Sequence, residues 1–121
     1  MSLSFDFSDD QNMMRDAIKT FCKEEIAPLV EEAEKTESFP QELFPKMAEM
    51  GLLGICFDEK YGGLGLDKVT QCILAEELGK TCAGIAKGVA AHVDLGSLPI
   101  AKFGTEEQKE KYLTPSIAGE I

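Results

Sequence analysis

Hydrophobic side chains recur at three- and four-residue steps along most of this chain, the spacing that places them on one face of an α-helix. A short apolar run at residues 52–57, which we expect to be extended, and a glycine-rich loop at residues 58–65 interrupt the pattern. We therefore predict a single all-α, bundle-like domain over residues 1–121, with about five or six helices and one glycine-rich loop. The helical pattern is clearest in residues 9–33, 40–50, 67–78, 83–96 and 105–113.

Capping residues and glycines set the predicted helix boundaries. A side chain that can accept a hydrogen bond from the first helical turn precedes three of the helices. These residues are Ser8 paired with Gln11, Asp67, and Thr105 paired with Gln108. Gly51 and Gly79 are expected to end the second and third helices, because glycine readily adopts the left-handed conformation of a helix C-cap.

Prolines are expected to interrupt several helices, because proline lacks an N–H group and its ring clashes with the preceding turn. We expect Pro28 to kink the first helix and Pro99 to kink or break the fourth. Pro115 is expected to end the last helix, whereas Pro40 suits the first position of the second helix.

Residues 83–96 form the central helix of this prediction. Their only ionisable side chains are Lys87, His92 and Asp94, so the helix is apolar nearly all round and requires neighbouring elements to cover it. Its glycines each cost about 1 kcal/mol of helix propensity relative to alanine, which is tolerable where another helix or a ligand comes close. Two interpretations stay open: a small-residue helix in the core, or a helix that walls a cavity.

The acidic composition narrows the classes of partner. The chain has 22 acidic and 12 basic residues and a formal net charge of −10, which disfavours nucleic acid and anionic membranes as partners. No apolar run approaches the roughly 20 residues needed to cross a bilayer. The N-terminus lacks the pattern of a secretory signal, so we expect a cytoplasmic protein, or a mitochondrial matrix protein if the source is eukaryotic.

Metal and phosphate sites are not predicted. The four cysteines are widely spaced and the chain has one histidine, so the ligands of a zinc site are missing. We expect buried free thiols in a reducing compartment. The glycine loop has no G-K-[ST] sequence and opens with two acids, and we expect a structural turn there. The cysteines are Cys22, Cys56, Cys72 and Cys82.

Catalytic residues are not predicted in this chain either. His92 has no evident catalytic partner in the sequence. Glu76 and Glu77 are adjacent on a helix, where neighbouring side chains diverge by about 100°. We therefore expect that these two carboxylates do not point into one site.

An ordered set of motifs resembles the N-terminal helical domain of acyl-CoA dehydrogenases. The resemblance extends from Phe5 to Ile121, and it depends on the number, order and spacing of the motifs together. In chain order they are Phe7-Ser8, Phe39-Pro40, Met50-Gly-Leu-Leu-Gly54, Tyr61-Gly-Gly-Leu-Gly65, Glu76-Glu-Leu78, His92 to Gly96, and Phe103-Gly-Thr-Glu-Glu-Gln-Lys-Glu-Lys-Tyr-Leu113.

The resemblance implies the fold and activity of a larger protein. Members of this family add a β-rich middle domain and a C-terminal helical domain, bind FAD, and oxidise an acyl-CoA thioester between its α and β carbons in fatty acid metabolism. They pass electrons to an electron-transfer flavoprotein, and we expect a homo-oligomer. This chain lacks the T-E-P-x-A-G-S-D flavin stretch and the C-terminal glutamate base. By itself it is expected to be inactive, free of FAD, and self-associating through apolar faces that other domains would cover.

In this family the central helix helps to wall the acyl pocket, and the resemblance carries that role to the motif between His92 and Gly96. The substrate-binding residues that it implies, in order of preference, are Leu95, His92, Val89, Gly96, Ala90 and Ala91. Cofactor-binding residues stay unknown. The alternatives are that these side chains only fill the core, or that the chain is a free-standing helical adaptor or an acyl-binding module without catalysis.

Overall fold

A computed structural model describes residues 3–121, which form five helices and no β-strand. The all-α prediction is therefore confirmed. A 3₁₀ turn, Glu59–Tyr61, lies in the loop between the second and third helices. No helix of the described chain is both long and apolar enough to cross a membrane. The helices are α1 (residues 9–36), α2 (Leu43–Glu49), α3 (Lys68–Thr81), α4 (residues 83–103) and α5 (residues 106–117).

The predicted N-caps are all present. At the start of α1, Ser8 Oγ accepts from the Gln11 N–H at 3.1 Å, and the Ser8 N–H donates to Gln11 Oε1 at 2.9 Å. Thr105 and Gln108 make the same two bonds at the start of α5, at 3.1 and 2.9 Å. Asp67 accepts from the backbone N–H of Thr70 and caps α3. These side chains pair N–H groups that would otherwise have no partner within the helix.

Removal of the Thr105 side-chain cap is expected to destabilise the domain. We expect Thr105→Ala to lower the free energy of unfolding by about 1 kcal/mol, because the N–H of the first turn loses its acceptor. Urea denaturation measures this change, with Thr105→Ser as the matched control that keeps the hydroxyl. Equal midpoints for Thr105→Ala and the parent sequence would show that this cap adds no stability.

Three of the helices contain a widened π-helical turn just before a proline. In each turn, the residue before the proline donates its N–H to the carbonyl five residues earlier. The wider turn relieves the clash between the proline ring and the carbonyl four residues back. The three turns are Cys22–Ile26 before Pro28, Ala91–Ser97 before Pro99, and Lys109–Leu113 before Pro115.

These π turns correct two of the predicted boundaries. The prediction that Pro115 ends α5 is wrong, because α5 continues to Ile117. Of the two outcomes predicted at Pro99, a kink or a break, the break is wrong, because α4 continues through a π turn to Phe103. At Pro28 the expected interruption is a π turn, after which α1 continues to Thr36.

The predicted boundaries of α2 and α3 are correct at Gly51 and wrong at Pro40 and Gly79. Gly51 has the predicted left-handed conformation, with φ of 75°, whereas α3 runs past Gly79 to Thr81. Helix α2 begins at Leu43 and not at Pro40, whose carbonyl accepts from the Leu43 N–H in a tight turn. Pro45 fits in the first turn of α2, because N–H groups there have no partner within the helix.

The glycine-rich loop packs back onto the chain before it. Residues 52–57 form successive tight turns and are not extended as predicted. Three N–H groups from the loop donate to carbonyls of this segment: Leu64 to Gly54 at 2.9 Å, Gly65 to Phe57 at 2.9 Å, and Leu66 to Ile55 at 2.7 Å. Since the segment is held by turns and not by strand pairing, its apolar side chains Leu52, Leu53, Ile55 and Phe57 can all enter the core.

The core is a single apolar cluster to which all five helices contribute. Helix α4 buries Ile85, Val89 and Val93 in it but leaves Leu95 73% exposed. The expectation that neighbouring elements cover this helix all round is thus wrong for the described residues.

Adjacent side chains differ in burial within the π turn of α5, where Leu113 is buried and Tyr112 is 42% exposed. Among the free cysteines, Cys22 and Cys82 are buried and Cys56 is half-buried, whereas Cys72 is exposed on α3. The prediction of buried thiols is therefore wrong for Cys72.

Candidate functional site

The π turn of α4 holds most of the candidate site residues and presents them in different directions. Val89 is buried one turn earlier, Ala90, Ala91 and His92 are half-buried, and Leu95 and Gly96 are exposed. Leu95 is thus a large apolar side chain held out in solvent by a rigid helix. π turns within α-helices are frequent at functional sites, which favours this surface as a candidate site.

A shallow apolar groove runs between α3 and α4, beside the π turn. Its volume is about 200 Å³, and Val89, Ala90 and Asp94 form its α4 side. Gln71 and the exposed Cys72 lie on the α3 side, and the Gln71 side-chain oxygen is buried there without a hydrogen-bond partner. The structure therefore brings Val89 and Ala90 together in one groove, which extends to Asp94, the residue before the exposed Leu95.

His92 is engaged elsewhere. Its Nε2 lies 2.9 Å from the Ser116 carbonyl oxygen and 3.1 Å from Ser116 Oγ, on α5. Its ring lies 5.0 Å from the ring of Phe44, on α2. Ser116 is a partner that the sequence analysis missed, and the only available signal was a serine among the apolar positions of α5.

Glu76 and Glu77 share one partner, contrary to the expectation that they point to different sites. Glu76 lies 2.8 Å from an Arg15 terminal nitrogen, and Glu77 lies 3.8 Å from Arg15 Nε. The long guanidinium side chain spans both carboxylates and also stacks 4.6 Å above the Phe7 ring. Glu77 is moreover buried, with an exposure of 5%. These contacts fasten α1 to α3.

A second charged cluster ties the glycine-rich loop to α5. The Tyr61 hydroxyl donates to Glu106 at 2.6 Å, and Lys60 Nζ donates to the same carboxylate at 2.9 Å. These two hydrogen bonds lower the pKa of Glu106 to about 2. The bond to Glu106 likewise raises the pKa of Tyr61. The loop therefore has well-defined structural partners in this domain.

The lowered pKa of Glu106 makes part of the stability sensitive to acid. The contribution is fully present above the ordinary carboxyl pKa of 4.5 and is lost as pH falls through about 2. We expect Tyr61→Phe to raise the pKa of Glu106 and to shrink this acid-dependent loss of stability. Unfolding measured between pH 6 and the acid limit tests this, with Tyr112→Phe as the control on an exposed tyrosine. An unchanged pH dependence in Tyr61→Phe would contradict it.

The chain matches the family described as acyl-CoA dehydrogenase, N-terminal domain, over residues 8–120. This chain belongs to the acyl-CoA dehydrogenase family. The Bacillus subtilis protein named Probable acyl-CoA dehydrogenase YngJ is 44% identical over 117 residues, which are 97% of this chain and 31% of that protein. The chain thus corresponds to the N-terminal domain and spans about a third of that relative's length.

Solved structures of the family share the fold closely. A chain from a structure described as electron transferring flavoprotein of Acidaminococcus fermentans has a TM-score of 0.91 and 42% identity, over 98% of this chain and 31% of that one. An acyl-CoA dehydrogenase from Bacillus anthracis, in complex with FAD, has a TM-score of 0.87 and 42% identity, over 95% of this chain and 20% of that one.

The glycine-rich loop is not built to hold a phosphate group. Phosphate groups bind cationic side chains or free N–H groups, whereas the loop opens with Asp58 and Glu59, pairs Lys60 with Glu106, and uses several of its N–H groups within the domain. No group of three or more metal-ligating side chains occurs within residues 3–121.

Proposed function

We propose that this chain is the N-terminal domain of an FAD-dependent acyl-CoA dehydrogenase and that α4 forms part of the acyl pocket wall. The observation that carries the proposal is Leu95, which is 73% exposed on a π turn beside the apolar groove. An apolar side chain held out on a rigid helix suits contact with a hydrocarbon chain, since apolar surface gains by leaving water. Gly96, which follows it, leaves room for close approach.

In this proposal the candidate residues of α4 determine the shape of the acyl pocket and keep water out of it. Leu95 excludes water from the acyl chain, and Val89, Ala90 and Ala91 set how deep the chain reaches. Bound FAD would supply the electron acceptor for α,β-dehydrogenation. This domain would belong to a longer protein, called the parent protein below. The rest of the parent protein would hold the flavin, provide the base and pass electrons to an electron-transfer flavoprotein. His92 has a different task, because its ring already contacts Phe44 and Ser116.

The parent protein tests the proposal directly. Purified parent protein is expected to show flavin absorbance that bleaches anaerobically on addition of a saturated acyl-CoA and to reduce an electron-transfer flavoprotein. Acyl-CoA binding without bleaching would favour a non-catalytic acyl-binding module. Binding of neither acyl-CoA nor FAD would favour a helical adaptor and would overturn the proposal.

We also propose that the chain by itself is inactive, binds no FAD and self-associates. Leu95 and Phe103 are 73% and 85% exposed on α4, and uncovered apolar surface tends to pair. The net charge of −10 opposes association but is screened within about 8 Å at physiological salt. Sedimentation at two ionic strengths is expected to show stronger association at higher salt. A monomer at both ionic strengths would contradict this, and so would stoichiometric FAD.

The cellular location proposed for the parent protein is the cytoplasm, or the mitochondrial matrix in a eukaryote. Immunolocalisation of the parent protein tests this.

A further inference from the structure

Three polar side chains form a closed hydrogen-bonded ring inside the apolar contact between α4 and α5. Ser97 is fully buried and Ser116 is 8% exposed. Their hydroxyl oxygens lie 2.5 Å apart, and Ser97 Oγ also lies 3.2 Å from the His92 carbonyl oxygen. His92 Nε2 closes the ring through Ser116, at 2.9 Å from its carbonyl oxygen. Each buried hydroxyl therefore has a partner.

The chemistry of the acceptors fixes the direction of these bonds. A carbonyl oxygen only accepts, so the 2.9 Å contact with the Ser116 carbonyl favours the His92 tautomer whose Nε2 carries a proton and donates it to Ser116. Ser97 donates its hydroxyl to the His92 carbonyl for the same reason, and Ser116 donates to Ser97. Loss of either hydroxyl would leave a buried polar atom unpaired, which is more costly than the bond itself is favourable.

The ring spans the π turn of α4. His92 is the second residue of that turn and Ser97 is the last, and Ser116 anchors both of them to α5. Leu95 lies between the two anchored residues and is 73% exposed. The direction of the Leu95 side chain is thus set by the shape of a turn that the ring holds at both ends.

We propose that His92, Ser97 and Ser116 are positioning residues that hold the π turn and so orient Leu95 toward the acyl chain. The proposal rests on the proposed function, since it concerns the regulation of pocket shape at the same site. None of the three residues needs to touch the substrate.

Relative activity on acyl chains of different length tests the proposal in the parent holoenzyme. Ser97→Ala and Ser116→Ala are expected to change the ratio of kcat/KM for long and short acyl-CoAs by about threefold or more, since a displaced wall changes how chain lengths are discriminated. Ser116→Thr keeps the hydroxyl and is expected to retain the kcat/KM ratio of the unsubstituted enzyme. Thr105→Ala removes the N-cap of α5 outside the ring, so it is the control for an effect of lost stability alone.

Two outcomes overturn the positioning role, and a Leu95 variant distinguishes failure of the ring alone from failure of the proposed function. Leu95→Phe is measured in parallel. If Leu95→Phe changes the ratio and the serine variants do not, the ring does not position Leu95. If Leu95→Phe leaves the ratio unchanged, the proposed pocket wall is wrong and the positioning role falls with it.

The protonation of His92 gives a readout that needs no activity. Nitrogen chemical shifts of ¹⁵N-labelled parent protein are expected to show a proton on His92 Nε2. A bare Nε2 with a protonated Nδ1 would mean that His92 does not donate to Ser116 and would contradict the proposed ring. This measurement needs no substitution, so it holds even if the serine variants fail to fold.

Discussion

Gly63→Ala is expected to destabilise the domain by about 3 kcal/mol or more, because a side chain cannot be added there without moving the backbone. A Cβ at Gly63 would overlap the carbonyl group of Phe57 and lie 2.9 Å from the carbonyl oxygen of Gly54. Both carbonyls also accept hydrogen bonds from the loop, at Gly65 and Leu64. A shift that relieves the overlap would therefore break these bonds.

Gly79→Ala is the matched control, with an effect of opposite sign. A Cβ at Gly79 meets nothing within 4 Å. Gly79 lies inside α3, where alanine is favoured over glycine by about 1 kcal/mol. Urea denaturation of both variants is expected to move the midpoint down for Gly63→Ala and up for Gly79→Ala. Similar urea midpoints for Gly63→Ala and Gly79→Ala would show that the loop accommodates a side chain at position 63 without loss of stability.

The starts of α1, α3 and α5 could be predicted from sequence because capping is local. Ser8, Asp67 and Thr105 pair with N–H groups three residues away, so a short pattern contains the whole interaction. The continuation through Pro99 and Pro115 was not readable in the same way. Whether a helix stops or widens at a proline depends on packing against distant residues, such as Ser116 with Ser97.

Only part of the candidate site could be predicted from the sequence, for the same reason. Apolar composition and the family resemblance singled out residues 83–96, whereas the groove that Val89 and Ala90 share is visible only in the structure. A π turn changes the direction of the residues within it, so regular periodicity could not separate the exposed Leu95 from His92. The shared bonding of Glu76 and Glu77 depended on the reach of Arg15 from another helix.

Leu95→Phe is expected to change acyl-chain preference in the parent protein by about tenfold, since a change in a pocket wall alters the differential binding of substrates. The stability of this domain should change little, because Leu95 is 73% exposed and substitutions at exposed positions fall within about 0.5 kcal/mol. Steady-state kinetics over a series of acyl-CoA lengths, together with thermal unfolding, measures both effects.

Val69→Phe is the control for this prediction. Val69 is a 43% exposed apolar residue on α3 that does not line the groove, so its enlargement should leave the relative kcat/KM values unchanged. Unchanged acyl-chain preference in Leu95→Phe would contradict the pocket-wall role of Leu95.

Photo-crosslinking tests the central claim most directly, because it reports which residues the acyl chain touches. The parent protein is irradiated with an acyl-CoA that carries a diazirine along its acyl chain, and the adducts are mapped by mass spectrometry. Labelling of Leu95 and its neighbours within residues 89–96, suppressed by excess unlabelled acyl-CoA, is the predicted result. Specific adducts confined to other parts of the protein, with none on α4, would contradict the claim that this helix walls the acyl pocket.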